Sequence, residues 1–153
     1  MKLERFIFCQ YCDDVRYEVD GKISLVGVYP GGLVINANLP ATISKLFVVC
    51  NLATPKEKPF QKVAIRILLG DKEVVKAEVP QEELSESALQ LRNPSGKGYM
   101  LTMAFPLFSL LIENAGYITV ELESEEGVFQ ANRLEIRVGS GLPPDAQGIA
   151  SAT

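Results

Sequence analysis

Apolar and polar residues alternate with a period of two in several separate segments of this chain. The pattern is clearest in residues 62–69, 118–123 and 133–138, where Val, Ile and Leu alternate mainly with charged residues, threonine or alanine. Successive side chains of a β-strand point to opposite faces of the sheet, so this period indicates strands that bury one face. Helical periodicity is scarce along the chain. The alternation therefore predicts an all-β protein.

Further strands are predicted at residues 5–12, 22–29, 33–35, 45–53, 73–79 and 99–105. Turn-forming residues separate several of them, with Asp20–Gly21 before the second strand and turns at residues 70–72 and 124–127. Eight or nine short strands joined by such turns are typical of an antiparallel immunoglobulin-like β-sandwich. We predict this fold.

Two windows favour short helical turns between strands. Residues 13–19 begin with Asp13, whose carboxylate suits an N-cap, and residues 80–91 are rich in helix-forming residues. Ser85 and Ser87 interrupt the second window. We therefore expect at most one or two helical turns in each.

A length of 153 residues suits one domain. We predict that residues 1–138 form a single β-sandwich domain. From Gly139 onward the sequence has no aromatic residue and no periodicity, so residues 139–153 are predicted to be a flexible C-terminal tail. Residues 92–98 contain Asn, Pro, Ser and Gly, which predicts a mobile loop.

The chain contains no histidine and no tryptophan. Without histidine, catalytic triads, His-assisted thiols and imidazole-ligated metals are excluded within this chain. The net charge of −4 provides no positive surface for a phosphate backbone. The longest apolar stretch, residues 103–112, is about half a membrane span, and the first residues do not resemble a secretory signal. We expect a cytoplasmic protein with no nucleic-acid partner and no membrane partner.

Cys9 and Cys12 form a C-x-x-C motif, and Cys50 is the third cysteine. A structural zinc would need additional ligands from carboxylates or a second chain. A redox motif needs its first cysteine at a helix N-terminus, where the pKa of the thiol falls. The motif lies in a predicted strand, where a separation of three residues places the two thiols on opposite faces. We favour a packing role for all three cysteines, with redox and metal roles as open alternatives.

Four carboxylates, Asp13, Asp14, Glu18 and Asp20, cluster in the expected connection after the first strand. Calcium binds several loop oxygens in flexible geometry, which makes these residues the candidate metal ligands. Their spacing does not match a defined calcium loop, and acidic residues in connections often serve turns and caps. We favour a capping role. The sequence indicates no catalytic residue and no cofactor.

The segment Cys12-Asp13-Asp14-Val15-Arg16-x-Glu18, followed by Gly21-Lys22-x-Ser24-Leu25-x-Gly27-x-Tyr29, resembles the opening of a family of small uncharacterised bacterial proteins. Its members carry a Cys-Asp-x-x-Arg stretch and then a Gly-Lys-x-Ser-Leu-x-Gly-x-Tyr strand. The resemblance spans residues 5–138. It implies a bacterial or phage-borne domain of unknown function with a β-sandwich fold, and it assigns no chemistry.

These observations favour a non-enzymatic protein that acts through protein contacts, either by self-association or by docking to a larger bacterial or phage assembly. Edge strands of an open sandwich need to be covered or paired. Leu107–Ile112, Val74 and Leu68 are the candidate interface residues. One alternative is an ion- or ligand-binding module that uses the acidic loops, and a further one is a thiol-dependent enzyme that uses Cys9 or Cys12.

Overall fold

The computed structural model describes residues 4–85, 88–89 and 96–139, which form ten β-strands and two short 3-10 turns. The strands are β1 (Phe6–Tyr17), β2 (Ile23–Tyr29), β3 (Gly32–Ile35), β4 (Ala41–Pro55), β5 (Ala64–Leu69), β6 (Lys72–Glu78), β7 (Gly98–Ile112), β8 (Gly116–Ser124), β9 (Gly127–Gln130) and β10 (Leu134–Val138). The 3-10 turns are Val19–Gly21 and Gln81–Leu84. The predicted all-β class is confirmed.

Two sheets contain these strands. Sheet A has the order β2-β1-β4-β7, and sheet B has the order β3-β10-β8-β5-β6, with β9 also paired to β8. The expectation of a wholly antiparallel fold is wrong, because β3 and β10 pair in parallel. The expected eight or nine strands become ten because the turn at residues 124–127 leads into β9, a four-residue strand too short to show an alternation.

The two sheets share one hydrophobic core between their inner faces. Sheet A contributes alternate residues such as Cys9 and Tyr11 from β1 and Val48 and Leu52 from β4. The remaining large contributors come from both sheets and include Leu101, Ile112, Ile65, Ile67, Ile118, Leu122, Leu134 and Ile136. The period of two in the sequence therefore marks which residues face this core.

The alternation of β7 reverses at Ser109, which has a left-handed backbone with φ 51°. Leu107 points into the core before this residue, and Leu110 and Ile112 do so after it. The alternation of β4, which pairs with β7, reverses at the same position along the strands, because Leu46 and Ile43 both pack on the core. A left-handed serine is rare, and here it lets two long strands keep apolar residues inward along their whole length.

The expected helical turn at residues 13–19 is wrong. Antiparallel pairing with β2 keeps β1 extended as far as Tyr17, and the 3-10 turn follows at Val19–Gly21. The second window does contain a turn, at Gln81–Leu84. The turns predicted before β2 and between β5 and β6 are confirmed.

Strand β10 ends at Val138, the last residue of the predicted domain. The predicted tail lies outside the described residues apart from Gly139, and most of the predicted loop at residues 92–98 does so as well. Within the described ranges, no helix has the length and apolar character needed to cross a membrane.

Candidate functional site

A second apolar cluster lies on the outer face of sheet A, away from the core. It consists of Cys12, Val15, Phe47 and Val49, and side chains from β2 and β7 pack against it. Strand β1 separates β2 from β4 in the sheet, yet Ile23 and Leu25 of β2 reach the cluster that contains Phe47 and Val49 of β4. The hairpin formed by β1 and β2 therefore curls over the outer face and buries part of it.

An open groove of about 690 Å³ lies between this hairpin and the rest of the outer face. Its wall comes from the hairpin and consists of Tyr17, Gly21, Lys22, Ile23 and Leu25. The wall ends at the 3-10 turn, whose Gly21 has a left-handed backbone. The volume falls in the range of about 300–1,000 Å³ that is usual for binding sites.

The floor of the groove carries a row of polar side chains across three strands. Thr102 Oγ1 of β7 donates a hydrogen bond to Asn51 Oδ1 of β4 at 2.9 Å. Asn51 Nδ2 donates to Gln10 Oε1 of β1 at 3.4 Å, and Ala104 completes the floor. Amide and hydroxyl groups that lie in a row on a mainly apolar surface can orient a bound backbone through hydrogen bonds.

Lys22 is the one charged residue among the described residues that line the groove. The lining includes no carboxylate and no cysteine. Lys22 gives the lining one positive charge, whereas the chain as a whole has a net charge of −4.

Strand β7 forms one margin of both the groove and sheet A. It spans fifteen residues, Gly98–Ile112, none of which is charged. In the described ranges β4 is the only strand that pairs with it. Long edge strands without charges are rare in monomeric proteins because they invite pairing with other chains.

The backbone groups of β7 that face its open margin follow from the pairing. Cys9 exchanges its backbone hydrogen bonds with the Asn132 side chain, so the paired residue Cys50 directs its own groups toward β7. Met103 pairs with Cys50 and therefore turns toward β4. Its neighbours Thr102 and Ala104 turn their N–H and C=O groups to the open side. Pro106, which has no N–H, lies at the next position of that series.

The other margin of sheet A is closed at Cys9 by Asn132, which lies in the connection between β9 and β10. At Cys9, β1 is not paired with β2. Here the Cys9 N–H donates to Asn132 Oδ1 at 2.8 Å, and Asn132 Nδ2 donates to Cys9 O at 2.8 Å. The Tyr11 hydroxyl donates to the backbone oxygen of Asn132 at 2.7 Å. Asn132 follows β9, so its side chain substitutes for a neighbouring strand at this margin.

Arg5, which directly precedes β1, makes hydrogen bonds and ion pairs at the same margin. Its guanidinium is 5% exposed, pairs with Glu125 and Glu126 and donates to the backbone oxygens of Lys58 and Pro59. The guanidinium also stacks over a phenyl ring, that of Phe60, at 4.6 Å from the ring centre. Arg5 thereby joins β1 to the loop after β4 and to the turn between β8 and β9.

The three cysteines are buried free thiols. Cys9 and Cys12 lie in β1 and point to opposite faces, with Cys9 in the core and Cys12 in the outer cluster, as the spacing predicts. Cys9 Sγ donates to Cys50 Sγ at 3.5 Å, and this hydrogen bond together with burial raises the pKa of Cys9 far above its usual range. Burial also raises the pKa of Cys12. Raised pKa values oppose formation of the nucleophilic thiolate.

Asp13 lies within β1, not in the connection where the sequence placed it. Its carboxylate accepts a hydrogen bond from the Tyr29 hydroxyl and lies directly over Gly27. Burial and this hydrogen bond raise the pKa of Tyr29 to about 12. Gly27 has φ +68°, and a Cβ atom there would collide with the Asp13 carboxylate, so only glycine fits.

Two of the other candidate metal ligands, Asp14 and Glu18, have separate partners. Asp14, also in β1, forms an ion pair with Lys45 at 3.0 Å, which lowers the pKa of Asp14. Glu18 accepts a hydrogen bond from Ser24 at 2.9 Å, and Asp20 lies in the 3-10 turn. In the part of the chain that the structure describes, no three acidic or cysteine side chains come close enough to hold a metal ion.

The apolar interface candidates are placed differently from expectation. Within Leu107–Ile112 only Phe108 and Leu111 are exposed large apolar residues, whereas the other leucines and Ile112 are buried. Val74 packs against the core, because a register shift in the β5–β6 hairpin turns it inward. Leu68 is half-buried at the same irregularity.

Sequence reasoning did not identify the groove. Gln10, Asn51 and Thr102 are polar residues inside otherwise apolar strands, and each occupies an outward position of its alternation. That signal is visible in the sequence for each strand separately. Placing the three residues in one row requires knowledge of which strands are neighbours, and the alternation does not provide that knowledge.

A family model described as a family of unknown function, DUF6941, matches residues 7–138. The chain belongs to this family. The match to DUF6941 begins in β1 and ends at the last residue of β10, so it includes strands of both sheets. It also includes the residues that line the groove between the β1–β2 hairpin and the rest of the outer face of sheet A. A search of curated proteins finds no match to the chain.

Proposed function

We propose that this protein is a non-enzymatic docking module that binds an extended segment of another polypeptide in the groove on the outer face of sheet A. The observation that carries this proposal is the groove itself, with its apolar wall, its polar row of Gln10, Asn51 and Thr102, and its opening at the β7 margin. Polar side chains that are spaced across neighbouring strands match the regularly repeated N–H and C=O groups of an extended peptide better than they match a compact small molecule.

The charge of the groove defines the partner further. Lys22 is the single charged residue in its described lining, so a carboxylate in the bound segment would be favoured. Phe8 is 47% exposed and lies directly opposite Asn51 on the same face, which extends the apolar surface beyond the groove. We therefore propose a partner segment with apolar side chains and at least one Asp or Glu.

A displayed library of random peptides tests this proposal. Peptides selected on the wild-type protein are measured by calorimetry against Ala104→Phe, which fills the groove, and against Thr42→Phe, which adds the same ring to an exposed position of β4 outside it. We expect Ala104→Phe to weaken binding by roughly tenfold or more and Thr42→Phe to leave it unchanged. Peptides that bind both variants equally would contradict the proposal, as would a selection that yields no binder.

The biological setting belongs to the same proposal. We propose a bacterial or phage assembly in the cytoplasm as the place of docking, because the opening segment resembles that of a family of bacterial proteins. We also propose an immunoglobulin-like relationship of the two sheets, because they pack around a common core. Genes adjacent to those of DUF6941 members test the setting. Structural genes as frequent neighbours would support an assembly, and their absence would contradict it.

A further inference from the structure

Cys9 and Cys50 lie directly opposite each other in the core, on the antiparallel strands β1 and β4. The backbone groups of Cys9 point away from β4 to the Asn132 side chain, so the two cysteines form a non-hydrogen-bonded pair. Such pairs have Cα atoms about 4.5 Å apart, within the range of about 4.4–6.8 Å that a disulfide bond spans. The two sulfur atoms are already 3.5 Å apart. A bond between them therefore requires adjustment of the side chains and no separation of the strands.

We propose that Cys9 and Cys50 are a site of reversible oxidation, at which hydrogen peroxide forms a disulfide bond that links β1 to β4. One sulfur attacks the peroxide as its thiolate, becomes a sulfenic acid and releases hydroxide, which takes up the proton of that thiol. The second sulfur then attacks the sulfenic sulfur and displaces its oxygen as water. Two thiols thereby lose two electrons and two protons, and one peroxide becomes two molecules of water. A dithiol reduces the bond again by exchange.

The position of the pair makes its oxidation depend on a local opening. Both thiols are buried, and the raised pKa of Cys9 disfavours the thiolate in the closed structure. Cys9 lies beyond the residues of β1 that pair with β2, so two hydrogen bonds from Asn132 hold its backbone on that side. Loss of these two hydrogen bonds costs less than separation of a paired strand. The Asn132 contact therefore governs how readily peroxide reaches the pair.

The disulfide also changes the stability of the fold. It joins residues that are 41 apart in the sequence, and such a cross-link restricts the unfolded chain. The thermal unfolding midpoint of the oxidised protein should therefore exceed that of the reduced protein by roughly 10 °C. Neither the reaction nor this shift depends on peptide binding in the groove.

Mass spectrometry of the peroxide-treated folded protein tests the site. Free thiols are alkylated in denaturant, and peptides are mapped before and after dithiothreitol. We expect the loss of two hydrogen atoms, a cross-linked Cys9–Cys50 peptide and an unoxidised Cys12, whose thiol lies on the opposite face of β1. Cys50→Ala should abolish the cross-link, and Cys12→Ala, which also replaces a buried thiol by a small apolar side chain, should retain it. Circular dichroism establishes that both variants fold.

The rate of cross-linking tests the role of Asn132. Asn132→Ala should form the disulfide roughly tenfold faster than the wild type, because the local opening becomes easier. Asn114→Ala, at an exposed turn position, should react at the wild-type rate. Equal rates for the two variants would overturn the role of Asn132. A cross-link that includes Cys12, conversion of Cys9 or Cys50 to sulfinic acid without a cross-link, or a cross-link that forms only in denaturant would overturn the site itself.

Discussion

The two margins of sheet A differ in what lies beside their backbone groups. On the β1 side, the Asn132 side chain makes the two hydrogen bonds to the Cys9 backbone that a neighbouring strand would otherwise make. Arg5 joins the start of this side to the loop after β4 and to Glu125 and Glu126. On the β7 side, Thr102 and Ala104 present their backbone groups outward, and the strand contains no charged side chain. At Cys9 the β1 margin is completed by a side chain of the same chain, whereas among the described residues no strand other than β4 pairs with β7.

This difference separates residues that hold the fold from residues that recognise a partner. Backbone groups removed from water must find hydrogen-bond partners, so the β1 margin contributes to the stability of the monomer. Thr102 and Ala104 of β7 line the groove in which we propose that a peptide binds. Substitutions on the β1 side should therefore lower the free energy of unfolding, and those at Thr102 or Ala104 should change peptide binding.

The largest effect is expected for Arg5→Ala. The buried guanidinium pairs with Glu125 and Glu126 and satisfies backbone oxygens in the loop after β4, so its loss should lower the free energy of unfolding by about 3 kcal/mol. Urea denaturation measures this change. Arg137→Ala removes an exposed arginine that lies 3.7 Å from Glu135 and should cost at most about 0.5 kcal/mol. Equal effects of the two substitutions would show that the β1 margin is not closed by Arg5.

A smaller effect is expected for Asn132→Ala. Two hydrogen bonds to the backbone of Cys9 disappear, which should lower the free energy of unfolding by about 2 kcal/mol. Hydrogen exchange gives a local readout, because the Cys9 amide should exchange faster in the variant. Asn114→Ala, at an exposed turn position, is the matched control. An unchanged exchange rate of the Cys9 amide would contradict the comparison between the two margins, since the Asn132 side chain would then not be what protects this amide.

The alternation of residues 62–69, 118–123 and 133–138 was sufficient to predict the all-β class and most of the strands. Features that depend on which strands are neighbours could not be predicted in this way. The position of Asn132 beside Cys9 joins residues 123 apart, and the pairing of β3 with β10 joins residues 103 apart. Asp13 was misplaced for a related reason, because local capping chemistry favours a turn whereas the pairing with β2 keeps β1 extended.

The smallest effect concerns pH and involves Glu125, an ion-pair partner of Arg5. Partial burial acts to raise the pKa of Glu125, but hydrogen bonds from backbone N–H groups, including those of Gln61 and Lys62, and from Arg5 outweigh it and hold this pKa below 4.5. A carboxylate whose pKa is lowered by folding stabilises the native state fully above its unfolded pKa. That contribution declines as the pH falls below about 4.5 and through the folded pKa.

We therefore expect the stability difference between the wild type and Glu125→Gln to be largest near neutral pH and to shrink toward pH 3, as measured by urea denaturation across that range. A stability difference that does not vary with pH would show that Glu125 is not an ionised partner of Arg5.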